Sequence, residues 1–297
     1  MNTKKIILSI ALISNGLMGV FAQQDALFTQ YIDVQLYSNA AYAGANDMMN
    51  FTAIHRQQWA GFQGAPITTG FALHSPLKKE SIGLGFEIWN DKVGANNRTS
   101  IAGNFAYKLP VGKKGKLSMG LKAMADINNA NYSNVQNSDN DVTKAVNSIT
   151  PNVGVGVLYY SPKWFLGAGV PRLLANSDAV YSNDLHTYVL AGIILKVNET
   201  WKVRPTTQIR AAKGAPLSVD LSAAGIYNDK LWLGLNYRIN ESAGLFVQYQ
   251  ATQQFKLGYA FDFGLNELRS SNFGSHELML SFDMNFKKSG VMSPRYF

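Results

Sequence analysis

No cysteine occurs anywhere in the 297 residues, so the chain has neither a disulfide framework nor an acylated lipoprotein cysteine. Beyond its first segment it also lacks any run of about 18 apolar residues, so no later helix spans a bilayer. Charge is scarce at 15% of residues, whereas glycine numbers 26 and aromatics reach 12%. A soluble surface is usually richer in charge. Lipid satisfies no backbone polar groups, so a chain without spanning helices crosses a membrane only as a closed barrel. Low charge with many glycines and aromatics suits a barrel wall.

Residues 1–22 read as an export signal. Lys4 and Lys5 form a positive start, residues 6–20 an apolar core, and Val20-Phe21-Ala22 a cleavage site that puts the mature start at Gln23. A membrane anchor is the rival reading, but the run is short and Ser9, Ser14 and Asn15 dilute it. The net charge is +8, and loss of Lys4 and Lys5 leaves +6. Such a balance suits nucleic acid, anionic lipid or an acidic partner. The placement of the charges favours lipid or a protein over nucleic acid.

From Asn50 onward apolar and polar residues alternate. Leu231, Leu233, Leu235 and Tyr237 oppose Gly234, Asn236 and Arg238. Phe255, Leu257, Tyr259 and Phe261 oppose Lys256, Gly258 and Asp262, and Leu278, Leu280, Phe282 and Phe286 oppose Glu277, Ser281, Asp283 and Asn285. Only an extended chain separates alternate residues onto two faces. A soluble sandwich shares this pattern, so the connections must decide. About fourteen strands of roughly ten residues are expected, the length and even number of a transmembrane antiparallel β-barrel. They centre on residues 50–58, 66–75, 81–90, 98–108, 116–127, 149–160, 164–170, 186–197, 200–211, 217–227, 230–238, 242–250, 254–262 and 275–286. The plan is thus a signal at 1–22, an N-terminal arm at 23–49, a barrel at 50–286 and a tail at 287–297. The arm carries Phe28, Tyr31, Leu36, Tyr37 and Tyr42 without a clear period, and is expected to pack in or under the barrel with a helical turn.

Every other connection is tight: 76–80, 110–115, 161–163, 198–199, 228–229 and 252–253. Those between are often longer: 59–65, 91–97, 128–147, 171–185 and 264–273, with short exceptions near 213–216 and 239–241. Outer-membrane barrels alternate in this way, with turns periplasmic and loops outside. The termini are then expected on the periplasmic side. The tight set gathers Lys78, Lys79, Lys113, Lys114, Lys116 and Lys163. Such a basic rim meets lipid phosphates or an acidic partner, or is plain turn chemistry.

Lys202, Arg204, Thr206, Gln208 and Arg210 share one strand face. A cation in mid-bilayer costs about 2–4 kcal/mol, so this face must line the lumen. Pro205 cannot donate to the ladder, which predicts a bulge or local break there. A hairpin turning near Gly214 makes Arg210 and Asp220 diagonal neighbours, close enough for an ion pair. Leu217, Val219 and Leu221 share odd numbering with Leu231, Leu233 and Leu235. Residues on one face must pair, so the connection at Asn228-Asp229 is expected to have three residues, or a bulge near Gly225.

A hydrolase would need a nucleophile beside a base. The pairs His74-Ser75 and Ser275-His276 lie at strand ends, where adjacent residues face opposite ways, so neither pair can bond. Gly83-Leu84-Gly85 and Gly154-Val155-Gly156 are strand glycines without a following helix, hence no nucleotide fingerprint. Asp139 and Asp141 lack a ligand cage for calcium. No catalytic residue, cofactor or metal site is expected. Residues 56–66 form an unusual loop, with Arg56, Trp59, Phe62 and Pro66. Such a loop folds inward as a plug, serves as a docking loop, or is ordinary aromatic-girdle chemistry.

Several motifs occur together in order. They are Phe28-Thr29-Gln30-Tyr31 with residues 39–44, Arg56-Gln57-Gln58-Trp59-Ala60-Gly61-Phe62, Gly64-Ala65-Pro66, and His74-Ser75-Pro76-Leu77. Asp91-Lys92-Val93-Gly94, residues 117–122 and 151–160, Gly274-Ser275-His276-Glu277 and Ser293-Pro294-Arg295-Tyr296-Phe297 follow. In this combination the chain resembles the PorP/SprF family of Bacteroidetes outer-membrane proteins, tied to type IX secretion. Ala40 stands where the family usually carries proline. The resemblance implies a non-enzymatic outer-membrane barrel acting with secretion and gliding machinery. Its partners would be a periplasmic lipoprotein ring, a secreted surface adhesin, or both. A general porin or solute channel is the alternative. The candidate contacts are Phe28, Tyr31, Tyr42, Lys78, Lys79, Lys113, Lys114, Arg295, Tyr296 and Phe297 on the periplasmic side, and Arg56, Trp59 and Phe62 on the loop. Lys202, Arg204, Arg210 and Asp220 are the lumen-lining set.

Overall fold

The computed structural model describes residues 25–46, 48–77, 80–130, 146–177, 182–183, 185–213, 215–265 and 272–284. The expected signal at 1–22, Lys78, Lys79, Gly214, Asp139, Asp141 and the tail with Arg295, Tyr296 and Phe297 lie outside those residues. Among the described residues no helix is long and apolar enough to cross a membrane.

Fourteen antiparallel strands close into one barrel among the described residues. The first seven are β1 (Met49–Gln57), β2 (Ile67–Pro76), β3 (Ile82–Val93), β4 (Asn96–Val111), β5 (Gly115–Ala130), β6 (Val146–Tyr160) and β7 (Trp164–Val170). The second seven begin with β8 (His186–Ile193), which resumes as Leu195–Lys196, then β9 (Trp201–Ala212) and β10 (Ser218–Tyr227). They end with β11 (Leu231–Arg238), β12 (Ser242–Gln250), β13 (Phe255–Gly264) and β14 (Ser275–Met284). Each strand pairs with its chain neighbours, and β1 meets β14 with Asn50 opposite Asp283. No strand edge is left in the ring, as lipid requires.

The connections hold one correction. The longer loop expected at 91–97 does not form, because β3 and β4 run on to pair Val93 with Asn96, leaving a two-residue turn at Gly94-Ala95. The β10–β11 connection has three residues. Tyr227 pairs with Leu231, and Asn228 and Asp229 both take positive φ, at 49° and 54°. Odd thus pairs with odd, and the leucines all face outward. At Pro205 the ladder to β10 is unbroken, with Pro205 opposite Ala223. The break appears on the other side, where β8 lapses at Ile194 and resumes in the same register. A missing N–H therefore interrupts one ladder without a bulge.

The outer surface is apolar along the strands. Aromatics stand at its tight-turn rim, where Tyr159 stacks on Trp164 at 4.6 Å and Trp201 lies 5.0 Å from Tyr227, and at its long-loop end, where Tyr237 and Phe263 are exposed. Amphipathic rings at one level are what a bilayer interface selects.

The lumen is filled. Residues 25–46 run through it, with 3-10 turns at Tyr31–Tyr37 and Ala40–Tyr42. Phe28, Tyr31, Ile32, Leu36 and Tyr42 pack against Ile54, Trp89, Leu158, Phe165 and Met279 of the wall. The described chain begins at Asp25 on the long-loop half and leaves at the tight-turn rim, where Met49 pairs with Met284. The two ends of the described chain therefore lie at different levels of the barrel.

Four wall glycines explain how close this lumenal segment, the plug of residues 25–46, sits. A Cβ on Gly83 would fall 1.9 Å from Ala43 O, on Gly120 2.2 Å from Ala41 N, on Gly156 1.9 Å from Asn39 Oδ1, and on Gly169 2.3 Å from Ser38 O. Strands β3, β5, β6 and β7 thus expose bare backbone to residues 38–43. Replacing Gly120 by Val should expel the plug while the barrel still inserts. The expected outcome is protease cleavage within 25–46 in membranes, at unchanged heat-modified gel migration. An uncut plug would refute this account.

Candidate functional site

The plug is held by charges that the wall presents at alternate inward positions. Arg56 of β1 is 2% exposed. Its Nη2 donates to Asp262 Oδ2 at 2.6 Å and its Nη1 to Glu277 Oε2 at 3.0 Å, on β13 and β14. The same carboxylates receive the plug. Thr29 N and Gln30 N donate to the two oxygens of Glu277 at 3.0 and 2.9 Å, and the Thr29 hydroxyl donates to Asp262 Oδ2 at 2.6 Å. Backbone amides that a 3-10 turn leaves unpaired are thus capped from across the lumen.

Three further clamps follow. Asp25 accepts from Arg172 Nη1 at 3.1 Å and from the Tyr188 hydroxyl at 3.0 Å, while Arg172 Nε reaches Asp126 Oδ2 at 2.9 Å. Asp33 pairs with Lys256 and accepts from Gln248 Nε2 at 2.7 Å. Lys122 pairs with Glu87 and donates to the Leu36 and Tyr37 carbonyls at 3.0 and 2.8 Å. Burial alone would raise the Asp25 carboxyl, but Arg172, His186, Arg98 and the Tyr188 hydroxyl hold it well below the usual carboxylate range. Asp33 is held low against burial by Lys256 and Arg204.

The lumen-lining residues fall as the alternation requires. Arg210 Nη2 reaches Asp220 Oδ2 at 3.2 Å, diagonally across β9 and β10, and Arg238 Nε meets Asp220 Oδ1 at 2.7 Å. Arg204 is buried, and Lys202 sits at the tight-turn end on Asp229 at 2.6 Å. The partner-facing set needs correction. Phe28, Tyr31 and Tyr42 are 4%, 3% and 5% exposed, inside the lumen, because the plug has no other place to bury its rings. Arg56 is likewise sealed between two carboxylates and not displayed on the loop. Trp59 is half-buried, whereas Phe62, Lys113 and Lys114 are exposed. The sequence reading put Lys256, Asp262 and Glu277 on polar faces but found no role for them. It missed Asp25, Asp33, Glu87, Lys122 and Arg172, whose partners lie far off in the chain.

Above the plug, at the long-loop end, a cavity of about 470 Å³ opens. Leu27, Trp59, Pro66 and Val93 give it apolar walls, and Asp25, Arg56, Arg238 and Asp262 its polar floor. Its rim is knitted by backbone bonds. Ala60 N donates to Gly274 O at 2.7 Å, Phe273 N to Ala60 O at 2.8 Å, and Gly94 N to Gly64 O at 2.9 Å. Trp59 takes a positive φ of 45°, a strain that this bracing maintains. Phe62 and Phe273 stand out from the rim, 46% and 80% exposed.

Residues 20–282 match the family model described as type IX secretion system membrane protein PorP/SprF. The chain belongs to this family. This PorP/SprF protein is accordingly an outer-membrane barrel of the type IX secretion system. No curated protein matches the chain. Among solved structures it is similar to the Ralstonia pickettii toluene transporter TbuX, at 10% identity and TM-score 0.52 over 84% of this chain and 92% of that one. It is similar also to CymD, a monoaromatic hydrocarbon channel, at 12% identity and TM-score 0.50 over 91% and 95%. A TodX deltaS2S3 mutant, likewise a monoaromatic hydrocarbon channel, matches at 10% identity and TM-score 0.51 over 86% and 94%. At such identities the likeness shows the barrel fold alone.

Removing Arg56 would leave two buried carboxylates without their cation, a change worth about 3–5 kcal/mol in comparable buried pairs. Arg56→Ala should therefore lower the temperature of the heat-modified gel shift, with Arg56→Lys intermediate; an unchanged transition would refute the clamp. The Asp25 clamp has its own pH signature. Its folded pKa is depressed, so its contribution is present above the unfolded carboxylate value of about 4 and is lost as pH falls through the lower folded value. Thermal stability followed against pH should hold from neutrality down to about pH 4 and decline progressively below it. In Asp25→Asn stability should be lower at neutral pH, with a shallower decline in acid.

Proposed function

We propose that this PorP/SprF barrel is a closed holder of protein partners, with its specific contact at the long-loop end. The tight turns face the periplasm in this reading, because outer-membrane barrels keep their short turns there. The long-loop end then faces outward and grips a secreted adhesin-type protein. The observation that carries this is the vestibule with Phe62 and Phe273 on its braced rim. Rings so exposed, outside the apolar wall, are costly in water and typical of an interface. The periplasmic rim, with Lys113 and Lys114, offers a second, electrostatic contact to lipoprotein-ring components or anionic lipid. Conduction as a general porin fits this lumen poorly, because a packed and ion-paired segment occupies it.

The test is cargo retention in crosslinked cells. Trp59→Ala with Phe62→Ala should release the surface cargo into the medium while the barrel still inserts. Charge reversal at Lys113 and Lys114 should weaken periplasmic capture and leave cargo attached. Pull-downs unchanged by both sets, together with large steady conductance in a planar bilayer, would sink the holder in favour of a pore.

A further inference from the structure

On the outer wall a groove of about 550 Å³ crosses the seam where β1 meets β14. It opens where Ala53 of β1 stands between Leu280 and Phe71 and is too small to fill its row. Tyr249, Leu257, Leu278 and Leu280 form its apolar side. These residues all point out of the barrel, so the groove faces hydrocarbon. Binding sites for small ligands typically span about 300–1,000 Å³, so the groove is large enough to be one.

Toward the long-loop end the groove turns polar. His55, Thr69 and Tyr259 line it there, and His276 stands beside Tyr259. His55 Nδ1 bonds the Thr69 hydroxyl at 2.8 Å, and His276 Nδ1 bonds the Tyr259 hydroxyl at 2.8 Å. Both hydroxyls have a proton to give, and an imidazole whose Nδ1 accepts carries its own proton on Nε2. Each ring then offers one N–H on the lipid side of the sheet. Hydrocarbon has no acceptor for it, and an unanswered donor is costly there. The polar level continues along the wall. Thr69 pairs with Asn90 and Asn90 with Thr99, and Asn90 Nδ2 donates to the Thr99 hydroxyl at 2.9 Å. Polar side chains in a row on the lipid side mark the height at which the bilayer itself becomes polar. Lys92, exposed one row further toward the loops, adds a positive charge.

We propose that this groove binds one acyl chain of a phosphate-bearing bilayer lipid, whose phosphate oxygens accept from His55 and His276. The chain lies along Ala53, Leu257 and Leu280, and the head group sits at the height of Asn90 and Thr99. The occupant is a lipid because nothing else reaches this wall, and Lys92 favours an anionic head. Such a lipid ties β1 to β13 and β14 across the seam that closes the barrel. The site is on the outside of the wall and is independent of the partner-holding role.

The test uses the full chain in detergent, stripped of lipid and then offered phosphatidylglycerol or a diacylglycerol with the same two acyl chains. Bound lipid is counted by native mass spectrometry after a detergent wash. The chain should keep one phosphatidylglycerol and lose the diacylglycerol. Ala53→Phe fills the groove and should abolish retention, with heat-modified gel migration unchanged. His55→Ala with His276→Ala should weaken retention several-fold and erase the preference for phosphate. Equal retention of phosphatidylglycerol by Ala53→Phe would mean that the lipid is annular and lies elsewhere, and would overturn the proposal. Equal retention of the two lipids by the unaltered chain, or full retention by the double histidine variant, would remove the head-group contact and overturn it as well.

Discussion

The lipid outside offers a polar group no partner, and the packed lumen leaves little room for water, so the inward polar groups are driven to find partners within the protein. The constraint acts twice. On the outside it forces the strands to close, with β1 paired to β14 and no edge left over. On the inside it draws the charges that the alternation turns inward onto opposite charges, backbone groups or polar side chains. Glu277 takes two amides of the plug, and Lys122 takes two of its carbonyls.

The plug and the wall therefore hold each other in shape. Residues 25–46 contain only short 3-10 turns, which are weak on their own. Asn39 illustrates the dependence. Its Oδ1 accepts from Ala41 N to start the second turn, while its Nδ2 donates to Val157 O of the wall. The wall in turn has glycines where the plug backbone touches it. Releasing the plug would cost Glu277 two backbone amides, Lys122 two carbonyls and Lys256 its Asp33 carboxylate together, so a partly open lumen is a high-energy state. That makes the barrel a rigid platform. The vestibule above it inherits the rigidity, because its floor is the plug and its rim is tied from loop to loop.

Much of the barrel was legible in the residues. Alternation at period two marks every strand that carries both an apolar and a polar face. It assigned Arg204, Arg210 and Asp220 to the lumen, and parity required either a three-residue turn between β10 and β11 or a bulge near Gly225, of which the structure has the first. The outward leucines and the inward charges are one pattern, imposed by the pleat and by lipid. The extent of β3 and β4 was less legible. Asp91, Asn96 and Asn97 look like loop residues, yet the strands continue beyond the apolar band, where polar side chains are no longer penalised.

The sequence by itself thus determined the fold class, the number of strands and which residues face in, because these depend on a periodicity that each strand carries alone. The tertiary structure decided what the inward residues do. The Arg56 clamp joins residues more than 200 positions apart in the chain, as do Thr29 and Asp262. No local pattern encodes such a pairing; it exists only once the sheet has closed and brought β1 beside β14. The fate of Phe28, Tyr31 and Tyr42 was settled in the same way. Aromatic residues without a period read as a sticky surface, until a closed barrel supplies an interior in which they can be buried.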